Sequence, residues 1–183
     1  MEIAIRKLTE LGGVNSQVYL RPIADSDTEH IVRWRNSETV RCHFIFREPF
    51  TTDMHRNWLR TNIDTGKAIQ YIMEDSGKHL PIGSIYVKNI NRHNRSGEFG
   101  IFVGEESYRN KGIGTEAEKL FLNYCFRLGF HRIFLRVLAQ NTAAIKSYAK
   151  AGFKQEGLFR DMELLDGTYK DVIFMSILEN EAR

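Results

Sequence analysis

Cysteine is nearly absent from this chain. Two residues in 183, Cys42 and Cys125, cannot build a disulfide framework, and neither belongs to a C-x-x-C pair. A reduced, cytoplasmic setting is the expectation. Proline is almost as scarce, with three residues, and no linker, repeat or low-complexity tract divides the chain. No stretch approaches the ~20 apolar residues of a membrane span, and the opening "MEIAIRKLTELGG" has no uninterrupted apolar segment of the signal-peptide kind. The expected chain is soluble and unsecreted, with no membrane partner. Its six histidines never fall at an H-x-x-x-H spacing and no G-x-S-x-G elbow occurs, so neither a metal site nor serine-hydrolase chemistry is expected. Charge of one sign is also lacking: 26 Lys and Arg against 23 Asp and Glu leave +3. A pI near 8.9 on that small excess does not indicate a nucleic-acid partner and suits a polyphosphorylated small molecule equally well.

What is present suits one domain, long enough to bury about 70% of its unfolded surface. Residues 1–17 form a lead-in without an assigned structure, and 18–183 form the domain. "VYLRPI" reads as a strand, and "SDTE", Ser26 to Glu29, as a capping box opening a helix through Ile31 and Trp34. A threonine cap opens a second helix in "TTDMHRNWLRTN", with Met54 and Trp58 at i, i+4. "IQYIM" and "PIGSIYVKNI", joined by "DSG", form a hairpin, and "EFGIFV" is the next strand. A closing hairpin turns on Asp166-Gly167, the favoured two-residue pair.

The most informative stretch is "SYRNKGIGTEAEKLFLNYCFRLG". Ala117, Leu120, Phe121, Tyr124, Cys125 and Leu128 recur on one helical face, whereas Glu116, Glu118, Lys119 and Arg127 fall elsewhere on the wheel. Gly129 supplies a left-handed stop before the strand "RIFLRV". Gly112 and Gly114 therefore stand at a helix N-terminus, where unpaired N–H groups and the positive dipole end make an anion cradle, most simply for phosphate. A Walker loop is excluded because G-x-x-x-x-G-K-[ST] does not occur. "GIGTEA" satisfies G-x-G-x-x-A, but no carboxylate follows at the ribose distance of about 20 residues.

The remaining reading, R-x-x-G-x-G at Arg109, Gly112 and Gly114, resembles the pyrophosphate loop of the GNAT superfamily of N-acetyltransferases. The following "NTAAIKSYAKAGF" is similar to that family's N-x-x-A-x-x-x-Y-x-x-x-G-F element, with Asn141, Ala144, Tyr148, Gly152 and Phe153 in place. The resemblance covers roughly Val18 to Leu178. It implies an α/β (α+β) fold: a mixed, strongly twisted sheet of about seven strands with about four helices, splayed between the fourth and fifth strands. It also implies acetyl-CoA as co-substrate. The cofactor would be held by the backbone of Ile101, Phe102 and Val103, by Arg109, Asn110, Lys111, Gly112, Ile113, Gly114 and Thr115, and by Asn141 and Tyr148.

Acetyl transfer to an amine needs a group to accept the ammonium proton and a proton for the departing thiolate. The resemblance assigns the second to Tyr148 and offers Glu98 for the first. From pattern alone, Tyr148 is equally a core tyrosine on an apolar stripe, Glu98 a solvating charge at a strand edge, and Gly100 either a bulge or a crowded packing point. Cys125, on the buried stripe, is an inert small hydrophobe and no acyl carrier.

The acceptor end resembles the subgroup acetylating ribosomal-protein N-termini, spermidine and nucleotide-linked amino sugars. The last is favoured, since Arg35, Arg41 and Arg47 suit a diphosphate and Trp34 or Trp58 a base or sugar. Substrate-binding expectations are Trp34, Arg35, Arg41 and Glu98, with helical core and solvated arginines as the plainer alternative. The partner is thus a small-molecule amine or a protein N-terminus, and a homodimer is compatible with the pattern. A coenzyme A or nucleotide sensing module without turnover is the competing function, though it would need neither Tyr148 nor Glu98.

Overall fold

The computed structural model describes Ile3, residues 9–13 and residues 15–182. Most of the lead-in before residue 9 therefore lies outside the described residues. Along the chain run β1 (Val18–Pro22), α1 (Thr28–Asn36), α2 (Glu38–Arg41), α3 (Thr52–Trp58), β2 (Ile69–Asp75), β3 (Pro81–Asn91), β4 (Ser96–Val103), α4 (Ile113–Arg127), β5 (Arg132–Leu138), α5 (Thr142–Ala151), β6 (Lys154–Leu165) and β7 (Thr168–Leu178). The seven strands form one mixed sheet in the order β1-β2-β3-β4-β5-β7-β6. The expected four helices are joined by a fifth, the single turn α2 inside the loop after α1.

Local signals act mostly where they stand. Thr51 Oγ1 accepts the Met54 N–H at 3.2 Å and caps α3. Asp75 Oδ1 accepts the N–H groups of Gly77 and Lys78, closing the β2–β3 turn. Asp166 and Gly167 both take positive φ, 50° and 73°, as a primed hairpin turn requires. The expected capping box at Ser26–Glu29 does not form. Asp27, held by Arg21, turns its carboxylate back to the Ala24 N–H at 2.9 Å, and a short 3₁₀ turn precedes α1.

Both faces of the sheet are covered. α4 and α5 bury Phe121, Cys125 and Tyr148 against Phe99, Ile133 and Phe153 in the main core. On the other face Ile31, Trp34 and Val40 pack on Ile72 and Phe102. Each such side chain removed from water contributes roughly 1.5–3 kcal/mol, so both helical layers are fixed onto the strands between them.

All neighbouring strands are antiparallel except β4 and β5. Those two run parallel and pair only through Ser96–Glu98 with Arg132–Phe134. Beyond that point they part, and from Phe99 to Val103 one edge of β4 has no strand beside it. This is the expected splay, and it lies where the loop into α4 and the Tyr148 face of α5 converge.

Candidate active site

The cradle is built on backbone. Gly112 is the N-cap of α4 with φ +82°, a left-handed conformation suited to glycine, and Asn110 two residues earlier has φ +59°. The first helical hydrogen bond of α4 runs from Glu116 N–H to Gly112 O, leaving the N–H groups of Ile113, Gly114 and Thr115 ahead of it without a helical acceptor. A methyl group added at Gly112 would meet nothing within 4 Å, and one at Gly114 only Val103 at 3.9 Å, so the approach is open. The concave backbone and the dipole end suit a phosphate.

Arg109 is placed differently from its expected contact. Its guanidinium donates to the carbonyls of Val103, Thr39 and Gly104 at 3.0–3.3 Å, pinning the end of β4 and the α2 turn beneath the loop. Lys111 is exposed at the rim. Thr115 Oγ1 lies 2.7 Å from Ser147 Oγ, which in turn reaches the carboxyl of Glu118 at 3.0–3.2 Å, so a polar relay ties α4 to α5. Glu118 is 1% exposed, not on an open face as the helical wheel suggested, because α5 covers a second side of α4. Burial pushes its carboxyl up to about 8 despite the Ser147 hydroxyl.

Tyr148 sits on α5 with its ring edge-on to Phe99 and Phe153. It is 9% exposed. Burial first, then the charges of Glu118 and Tyr86, hold its phenol above the usual tyrosine range, so it stays protonated. Asn141 caps the same helix through Oδ1 to the Ala144 N–H at 3.3 Å, leaving its amide N–H₂ for other partners. Cys125 is fully buried and its thiol is pushed up by desolvation, which makes it a core side chain and no nucleophile.

Across the sheet lies a cleft of about 310 Å³ between α1, α3 and the strands, lined among others by Arg35, His55, Trp58, Tyr86, Lys88 and Phe102. Tyr86 connects it to the splay. Its ring lies over Gly100, where any Cβ would stand 2.3 Å from it, so Gly100 is a packing point and no bulge interrupts the register there. Trp58 is fixed by its indole N–H to Gln70 at 2.7 Å, and Gln70 donates to Ser84 at 2.9 Å.

Of the expected acceptor residues, Arg35 and Trp58 open onto this cleft. Trp34 is 1% exposed and donates its indole N–H to Glu105 at 2.8 Å, so it is core and cannot stack on a ligand. Arg41 pairs with Glu38 and reaches the Arg47 carbonyl, while Arg47 holds Asp166 and the Cys42 and Phe44 carbonyls. Glu98 is 8% exposed and far from solvated. Its Oε1 accepts Arg136 at 3.1 and 3.2 Å and lies 3.7 Å from Lys88 Nζ, and its Oε2 accepts the Asn89 amide at 2.9 Å. Both oxygens are engaged, so Glu98 is an anchor for the two cations. Sequence reasoning missed Tyr86, His55, Glu118 and Ser147. For Tyr86 the one available signal was the glycine facing it across β3–β4.

An anion cradle at the mouth of a splayed sheet, with a protonated tyrosine behind it and a cleft on the opposite face, suits an acyl-group transferase. The family model for the acetyltransferase (GNAT) domain matches residues 17–154, and the chain belongs to that family. It is an N-acetyltransferase that takes acetyl-CoA as co-substrate, and the non-catalytic alternative falls away. Among similar proteins, spermidine N(1)-acetyltransferase of Vibrio cholerae is 30% identical over 92% of this chain and 96% of its own length. L-amino acid N-acetyltransferase AaaT of Escherichia coli is 28% identical over 88% of this chain and 98% of its own. The crystal structure of the Vibrio cholerae enzyme in complex with CoA and spermine superposes with a TM-score of 0.84 at 28% identity, covering 92% of this chain and 99% of that one.

Proposed function

We propose that this chain transfers the acetyl group of acetyl-CoA directly to the primary amine of a small molecule lodged in the cleft between α1, α3 and the sheet. The acetyl donor supplies a thioester. The amine nitrogen forms the new C–N bond, the C–S bond breaks, and the sulfur takes a proton. The open backbone of Lys111 to Thr115 is assigned to the pyrophosphate, the unpaired edge of β4 from Ile101 to Val103 and the Asn141 amide to the rest of the donor, and Tyr148 to the proton. Tyr148 carries the reading. It is a buried phenol held protonated beside the splay, and its ordinary value of about 10 already exceeds that of a thiol. Glu98 orients Lys88 and Arg136, and the ammonium proton leaves through water in the cleft.

The acceptor is the finer question. Spermidine and spermine stand in the Vibrio cholerae names and an L-amino acid in the Escherichia coli one. The nucleotide-linked amino sugar favoured from sequence has no counterpart among these. The test is acetyl-CoA-dependent thiol release over a panel of primary amines, with Tyr148→Phe beside the parent. Turnover should fall roughly 10²-fold or more while acetyl-CoA affinity stays nearly intact. Unchanged turnover removes Tyr148 from the reaction.

A further inference from the structure

Among the described residues, two buried side-chain polar atoms have no hydrogen-bond partner, Arg35 Nε and His55 Nε2. Both residues line the cleft on the α1–α3 side. Such orphans are rare in native folds because each costs about 1–3 kcal/mol, and two in one cleft mark a place built for a ligand.

Arg35 enters none of the ion pairs among the described residues. Its guanidinium carbon lies 3.8 Å from the Phe44 ring centroid and 4.8 Å from that of Phe50, so two aromatic faces fix its orientation. Burial pushes it below the usual arginine range, with only Tyr86 opposing, which shows how poorly its charge is compensated. His55 is 1% exposed, its Nδ1 is 2.9 Å from Thr28 Oγ1, and burial keeps its ring neutral. A neutral ring nitrogen suits a hydroxyl or amide.

The other charged residue that lines the cleft, Lys88, does not cancel Arg35. It shares Glu98 with Arg136 behind the lining. The lining itself thus carries two cations and no carboxylate, where an incoming polyamine would bring more positive charge. Like charges in a half-buried site repel strongly. A guanidinium held planar and unpaired is instead a fork for a carboxylate or phosphate.

We propose that the acceptor amine carries an acidic group, carboxylate or phosphate, which Arg35 binds and which selects against polyamines. The proposal rests on the acyl-transfer reading only for the amine; capture of the anion does not require turnover.

The test is therefore made twice. Calorimetry in the presence of CoA compares glucosamine 6-phosphate with glucosamine, leucine with leucinamide, and UDP with uridine, alongside spermidine. Thiol release is then measured for the amines among them, glucosamine 6-phosphate, glucosamine, leucine, leucinamide and spermidine. An anionic member should bind at least 10-fold more tightly than its neutral counterpart. Whether the phosphate or the carboxylate pair separates identifies the acid. Arg35→Gln should abolish that difference and raise the acceptor KM 10-fold or more, with kcat and acetyl-CoA affinity little changed, and Arg35→Lys should restore part of it. Equal affinities within every pair, spermidine as the best acceptor, or an Arg35→Gln enzyme with unaltered acceptor KM and parental melting temperature overturns the proposal. If binding discriminates but no amine is acetylated, the anion site stands and the acyl-transfer reading is what fails.

Discussion

Glu118 shows how one residue couples chemistry to stability. Its folded value of about 8 lies above its ordinary 4.5. The folded state therefore holds a proton that the unfolded chain releases, and the stability linked to that proton is fully present below about pH 4.5 and lost as pH rises through about 8. Glu118→Gln keeps the hydrogen bond to Ser147 and removes the titration. Thermal unfolding from pH 5 to 8.5 should show the parent losing more of its melting temperature than the variant, and parallel curves would mean that Glu118 stays ionised in its pocket. The same residue marks what a sequence hides. A glutamate off the apolar stripe reads as solvated, and only the position of α5 makes it core. Gly112 at the start of α4 was legible because a local pattern names it, whereas Tyr148 was singled out by the family resemblance, its apolar stripe alone reading as core. Tyr86 and His55 were not, since their significance comes from neighbours distant in sequence.

At the scale of the element, α4 carries the strongest local code: an apolar stripe, a glycine N-cap and a glycine stop, Gly129, at φ +98°. Those signals act over a few residues, so the start, end and buried face of α4 could be read directly. The α1–α3 region behaved otherwise. There an acidic cap was drawn to Arg21, an extra turn formed at α2, and Trp34 was claimed by the core under Glu105, all tertiary competitions that no window of sequence contains. For α4 the test is its N-terminus. Gly112→Ala should cost about 1–2 kcal/mol, because φ +82° disfavours any Cβ. Gly112→Val should in addition place a branched side chain in the open approach to the N–H groups, weakening acetyl-CoA binding by an order of magnitude or more. Calorimetry separates the two effects, and a valine variant that binds as the parent does would contradict the cradle.

For the whole molecule, the splay is the feature that joins fold to function. The order of elements was legible from local patterns, and the position of the splay only through the family resemblance; the cleft between α1, α3 and the sheet was not, because it depends on how the loops around α2 pack. Among the described residues, the three-residue pairing of β4 with β5 is the only direct link between β1–β4 and β5–β7 within the sheet. A ligand that bridges the gap, with its phosphates on α4 and its body along β4, therefore adds contacts between halves that otherwise meet mainly through α4 and α5. Binding confined to the folded state at 100 times the Kd stabilises by about 2.7 kcal/mol. At about 2–4 °C per kcal/mol for a chain of this size, that corresponds to a rise of roughly 5–10 °C in melting temperature. Acetyl-CoA should produce this shift and NADPH, whose pyrophosphate can reach α4 but whose nicotinamide riboside does not match the channel along β4, a much smaller one at the same concentration. ATP, which has phosphates but nothing to lie along β4, should produce a smaller one. A shift with NADPH and none with acetyl-CoA would mean that the backbone from Lys111 to Thr115 holds a different ligand, because nothing else in the splay would then account for the stabilisation.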